Sequence, residues 1–254
     1  MRVETMSPKP APKAESSPKA GGAAYIKWVV LGVIALAFMA LFQKELGRLL
    51  DRTSDLSITS SGIQIKTVDT PLGKADVSAV VVKESEAPAT GIQGTRYTSR
   101  QYKLQISWPD ASKWSASEST GQALAKQLEL PPTISIPIVI LHNEVVSNFR
   151  PNVNVVVEKV GSMPIREYID ATVQGVSKMG WHVLSTSVDP ATNAGFVVLL
   201  NKSFGSDIYQ VQRIVMAHGN AYVVTASQLP PDNVMSAQLR EDLLAIINSF
   251  RILS

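Results

Sequence analysis

From Trp28 to Phe42 the chain reads Trp-Val-Val-Leu-Gly-Val-Ile-Ala-Leu-Ala-Phe-Met-Ala-Leu-Phe, without a charge or a proline. A bilayer-spanning helix needs about 20 mostly apolar residues at a rise of about 1.5 Å each. The run reaches that length when extended back through Ile26 and Tyr25 to Gly21, with the Lys27 amine snorkelling to the head groups. Tyr25 and Trp28 stand where interfacial aromatics belong, and in lipid an open chain satisfies its own backbone only as a helix. A core helix would carry a polar face, which this segment lacks. A signal peptide cut after Ala35-Leu36-Ala37 would leave Phe38-Met39-Ala40-Leu41-Phe42 as an apolar new terminus. The reading is an uncleaved signal anchor, a single transmembrane helix from Tyr25 to Phe42. Gln43 to Arg52 continues it amphipathically, with Leu46, Leu49 and Leu50 on one face.

Residues 1–24 are a Pro/Ala/Ser/Lys mixture that cannot bury enough apolar surface to order itself, and they read as a disordered basic tail. Arg2, Lys9, Lys13, Lys19 and Lys27 precede the span, against Lys44, Arg48 and Arg52 after it. The positive-inside rule then places the amino terminus in the cytoplasm. The expected location is the cell inner membrane, single-pass, with the large carboxyl-terminal domain in the periplasm.

Beyond the anchor the texture is that of an α+β domain. Leu56 to Thr67 reads as a hairpin turning at Gly62, and Glu84 to Gly91 as a linker, so 53–94 form a hairpin and linker. From Thr95, Tyr102, Leu104, Ile106 and Trp108 alternate with polar residues as on a half-buried strand. Ile134 to Leu141 is a strand broken by Pro137, which predicts an edge position. Val153, Val155 and Val157 alternate again. Pro164 then opens a helix whose buried face is Tyr168, Ile169, Thr172, Val176 and Met179, closed at Gly180. Strands follow at 182–188, 195–201, 208–217 and 221–227, the last two joined by a turn at His218-Gly219-Asn220. Asp232 or Asn233 caps a final helix with Met235, Leu239, Leu243, Ile246 and Phe250 as its apolar stripe. Residues 95–254 thus form one domain, large enough to close a core without disulfides.

This order resembles the PsbP/Mog1/DcrB-like domain family. The likeness is carried by Tyr102 to Pro109 followed by Trp114, by Asn152 to Val157 before Glu167-Tyr168, and by Ile247-Asn248-Ser249-Phe250-Arg251. Lys103-Leu104 stand where that family usually has Gly-Phe. The resemblance implies an antiparallel sheet flanked by helices and a non-catalytic accessory or binding role.

The chemistry-bearing residues are sparse. Zero cysteines excludes a disulfide framework, a thiolate zinc site and a cysteine nucleophile. His142, His182 and His218 have no helical metal-ligand spacing, although a sheet could bring two together. There is no nucleophile elbow or phosphate loop, and no pattern pairs Glu144 with Glu158. Trp108 and Trp114 fit a core better than a ligand floor. With no basic stripe interleaved with aromatics, nucleic acid is not an expected partner. No catalytic, cofactor or metal residue is assigned. The expected function is a membrane-anchored, non-catalytic binding or assembly module of the bacterial envelope, its partners the lipid bilayer and another membrane or envelope protein. The alternative is a small-molecule or metal carrier using a cleft beside the sheet.

Overall fold

Five long runs of alternating or continuous Val, Ile and Leu build the centre of the protein, seen in a computed structural model that describes residues 67–76, 80–146, 149–202, 207–229 and 237–254. The tail 1–24, the span and its extension 25–52, the hairpin expected at 56–67 (Thr67 apart) and the cap at Asp232 or Asn233 lie outside these residues. Among the described residues no helix is long and apolar enough to cross a membrane.

The first strands are β1 (Thr67–Thr70), β2 (Gly73–Asp76), β3 (Val81–Val82), β4 (Gly91–Gln93), β5 (Arg96–Ser99), β6 (Leu104–Ser107) and β7 (Trp114–Ser117). Helix α1 (Glu118–Gln127), β8 (Ile134–His142), β9 (Asn152–Lys159) and α2 (Ile165–Lys178) follow. Then come β10 (His182–Asp189), β11 (Ala194–Asn201), β12 (Ile208–Ala217), β13 (Asn220–Gln228), α3 (Ala237–Ser249) and β14 (Arg251–Leu253). β1 and β2 form a hairpin. The large sheet has seven antiparallel strands in the order β10-β11-β12-β13-β9-β8-β7, and the small one five in the order β3-β14-β6-β5-β4. Only the β3–β14 pair is parallel among the described strands. The fold is α+β, with two antiparallel-rich sheets and three helices among the described residues.

Helix α3 carries Leu239, Leu243 and Ile246 of the stripe read from the sequence, while Met235 lies outside the described residues. Leu243, Ile246 and Ile247 are fully buried, and the helix touches β2 and β6 on one side and β9 and β13 on the other. The Arg213 guanidinium of β12 donates to the Ile247 carbonyl at 2.9 Å, fixing α3 on one face of the large sheet. Arg213 pairs with Phe196, and the next residue, Gly195, faces the other way, under Ile169 of α2. The two helices therefore cover opposite faces. Beside α2, register places Asn152 and Asn154 of β9, Thr225 and Ser227 of β13, and Gln210 and Gln212 of β12 on one face. All six side chains are buried, and Gln210 Nε2 donates to Ser227 Oγ at 3.1 Å.

Four expectations change. Pro137 is not on an edge strand, because β8 lies between β9 and β7. It sits instead within a register shift between Ser135 and Ile138, beyond the point where β7 ends opposite Val139. A bulge tolerates the missing N–H as an edge does. Residues 84–91 are not a bare linker: 84–86 form a 3-10 turn, and the Glu84 N–H donates to the Ser254 carbonyl at 3.3 Å. Strands β3 and β4 join the small sheet, which therefore begins upstream of residue 95. The final helix ends at Ser249, so Phe250 of the expected stripe lies past it, and Arg251 starts β14, between β3 and β6. The turn at 218–220 is as read: His218 and Gly219 have φ of 51° and 71°, the paired left-handed residues of a two-residue hairpin loop.

Candidate functional site

The residues singled out by chemistry are distributed over separate places. Trp114 is buried, and its indole Nε1 donates to Asp242 Oδ2 at 3.2 Å, joining β7 to α3. Gln238 Nε2 donates to the other Asp242 oxygen at 2.8 Å. The His142 ring stands edge-on to Trp114, centroids 4.9 Å apart at 76°. Its Nδ1 lies 3.2 Å from the Glu144 carbonyl and 3.3 Å from the Glu144 N–H. His142, Glu144, Gln238 and Asp242 line a cleft of about 380 Å³ together with Lys113. Trp108 is buried too, so both tryptophans belong to the core.

Glu144 and Glu158 do not meet as a pair. Glu144 is exposed beside His142, whereas Glu158 is buried under α2 and accepts from the Tyr168 hydroxyl at 2.8 Å. Burial, with the Glu158 charge added, pushes the Tyr168 phenol well above its ordinary value. Tyr97 is likewise pushed up to about 12, chiefly by burial. Among the described residues no three His, Asp or Glu side chains stand close enough to hold a metal ion. His142 and His218 line different clefts, and His182 is an exposed residue of β10.

The second cleft, of about 400 Å³, opens where four segments converge: the turn before β6, the approach to β8, the end of β9 and the β12–β13 turn. Lys103, Lys159 and His218 line it, with Thr133, Ser135 and Tyr102, and no carboxylate does. The β9 neighbour of Lys159, Glu158, points to the opposite face. Sequence reading missed this site because its cations are separated by 56 and 59 positions along the chain. The readable signal was the His218-Gly219-Asn220 turn, but that Asn220 pairs with Lys159 is a fact of sheet order alone.

No protein-family model matches the chain, and no curated protein matches it significantly. Among solved structures it is similar to LpqN of Mycobacterium tuberculosis, described as involved in cell envelope biogenesis: 14% identity, 66% of this chain and 90% of that one, TM-score 0.40. It is similar to cyanobacterial PsbP from Synechocystis at 10% identity, over 66% of this chain and 99% of that one, TM-score 0.41. The Saccharomyces cerevisiae Ran-binding protein Mog1p gives 10% identity, 64% and 97% coverage, and a TM-score of 0.40.

Proposed function

We propose that this chain is a membrane-tethered binding module with a PsbP/Mog1-like domain, which holds a partner of the bacterial envelope without chemically changing it. The supporting observation is how the most reactive-looking cluster is used. Both Asp242 oxygens accept hydrogen bonds, from Trp114 and Gln238, and His142 packs edge-on against Trp114. A carboxylate spent on locking α3 to β7 is a strut rather than a general base. The tether is the apolar run at residues 25–42, with the domain on the periplasmic side. Tethering raises effective concentration near membrane partners without strong intrinsic affinity.

Two measurements test this. Carbonate extraction of membranes should leave the full chain in the pellet; release into the supernatant rejects the spanning helix. Co-purification in mild detergent should recover a stoichiometric envelope protein. A chain that elutes alone and turns over a substrate, losing turnover in a folded His142→Gln variant, rejects the binding role.

A further inference from the structure

The second cleft has three features that belong together. Its charge is one-sided: Lys103 and Lys159 supply two formal positive charges, His218 lies beside them, and no lining residue is acidic. Neither lysine is in an ion pair among the described residues. The positions are also preorganised. The Leu253 N–H donates to the Lys103 carbonyl at 2.9 Å, and His218 Nε2 lies 2.9 Å from the Leu253 carbonyl. A carbonyl only accepts, so Nε2 carries the proton and donates. One residue of β14 thus fixes two of the three bases, while the Lys159 N–H is held by the Thr133 carbonyl at 2.9 Å. Lastly, Lys103 has φ of 51°. That region suits glycine and costs other residues, yet the chain keeps a lysine there.

We propose that this cleft binds a phosphoryl group carried on a small polar or lipid alcohol. This deepens the binding reading above and rests on it. Planar carboxylates are matched by the guanidinium fork, and no arginine lines the cleft. Lysine ammonium groups are compact point charges with several donors each, which suits the three or four oxygens of a tetrahedral anion. Thr133 and Ser135 add hydroxyl donors at the same wall. The volume of about 400 Å³ exceeds what bare phosphate fills, which leaves room for the alcohol. The phosphoryl group has two sources, a soluble phosphomonoester or a phospholipid headgroup.

The test titrates the full chain in neutral detergent with glycerol 3-phosphate and follows acetylation of Lys103 and Lys159 by mass spectrometry, using micelles doped with phosphatidylglycerol as the lipid arm. Binding should be salt-sensitive, should protect both lysines, and should be absent with glycerol. Lys103→Gly and Lys159→Gln should each weaken it about tenfold, the size of one lost charge-assisted hydrogen bond. Lys103→Gly should do so with an unchanged or raised unfolding temperature, because glycine is at ease at that φ. Protection by glycerol 3-phosphate assigns a soluble ligand; protection by phosphatidylglycerol alone assigns a headgroup. No protection by either, equal binding of malonate, or affinity unaffected by both substitutions overturns the proposal. Co-purification of an envelope partner does not depend on these lysines, so the two readings fail separately.

Discussion

Gly195→Ala is a substitution on which two physical effects disagree about the sign. Alanine loses less backbone entropy than glycine, a gain of roughly 0.5–1 kcal/mol in a strand interior. Against it stands the geometry. A Cβ at Gly195 would lie 2.5 Å from Ile169 Cδ1 of α2 and 2.5 Å from the Ser187 carbonyl oxygen of β10, whereas ordinary contact begins at 3.4 Å. The isoleucine tip can rotate away; a ladder carbonyl cannot. Relief therefore requires about 0.9 Å of movement where β10, β11 and α2 meet. Overpacking of this kind costs about 1–3 kcal/mol, and lifting α2 also loosens the buried Ile169 and the Tyr168–Glu158 hydrogen bond. The net expectation is a loss of about 1–2 kcal/mol, or roughly 2–8 °C in the unfolding midpoint for a domain of this size. Circular dichroism of the full chain in mild detergent reads it. Adding Ile169→Val should recover only part of the loss, since it removes the soft contact and leaves the hard one. A midpoint equal to or above the parent's would refute the reasoning.

Two further outcomes follow from the fold. A fragment of residues 95–254 should be less stable to urea than 67–254 by at least about 3 kcal/mol. It lacks β4, which pairs with β5, the buried Leu72 and Ala75, and the partners of three backbone bonds, from Ile252 to Val80, Ser254 to Val82 and Glu84 to Ser254. Coincident midpoints would show that the upstream strands contribute nothing. In alkaline titration at 295 nm, Tyr97 and Tyr168 should ionise only as the protein unfolds. Their folded values lie above the unfolded value near 10, so the stability they contribute is complete below about pH 10 and is lost as pH rises towards 12. All six tyrosines of the chain titrating together near pH 10 would refute this.

What the sequence discloses here depends on how local the cause is. Helix α2 is readable because Pro164, the Tyr168–Ile169–Thr172–Val176 face and Gly180 carry its start, side and stop within seventeen residues. Strands β10 to β13 are readable because each has its own run of β-formers, and His218-Gly219 fixes one register. β3 and β14 are not, because two or three residues have no period and become strands only where Val81, Leu104 and Ile252 meet. Pro137 misleads for the same reason: proline reports a missing N–H, and whether an edge or a bulge absorbs it is decided by neighbours far along the chain. The cleft of Lys103, Lys159 and His218 is a still more distant coincidence, created by sheet order. Tyr168 announces a core position by its spacing but not its Glu158 partner, since no periodicity reports which buried hydroxyl meets which carboxylate.

The place of β14 has a consequence in time. Residues 251–253 are made after every other strand described, yet they fill the slot between β3 and β6. Until they emerge, the small sheet has two unpaired inner edges and α3 has no strand to run into. Open strand edges recruit other chains, and such pairings between distant segments form slowly. A polypeptide halted near residue 250 would already possess its large sheet and three helices, but neither the closed small sheet nor Leu253, which positions Lys103 and His218. Closure of the small sheet and completion of the basic cleft thus both wait on residues 251–253, and a chain cut short before them keeps an exposed strand edge.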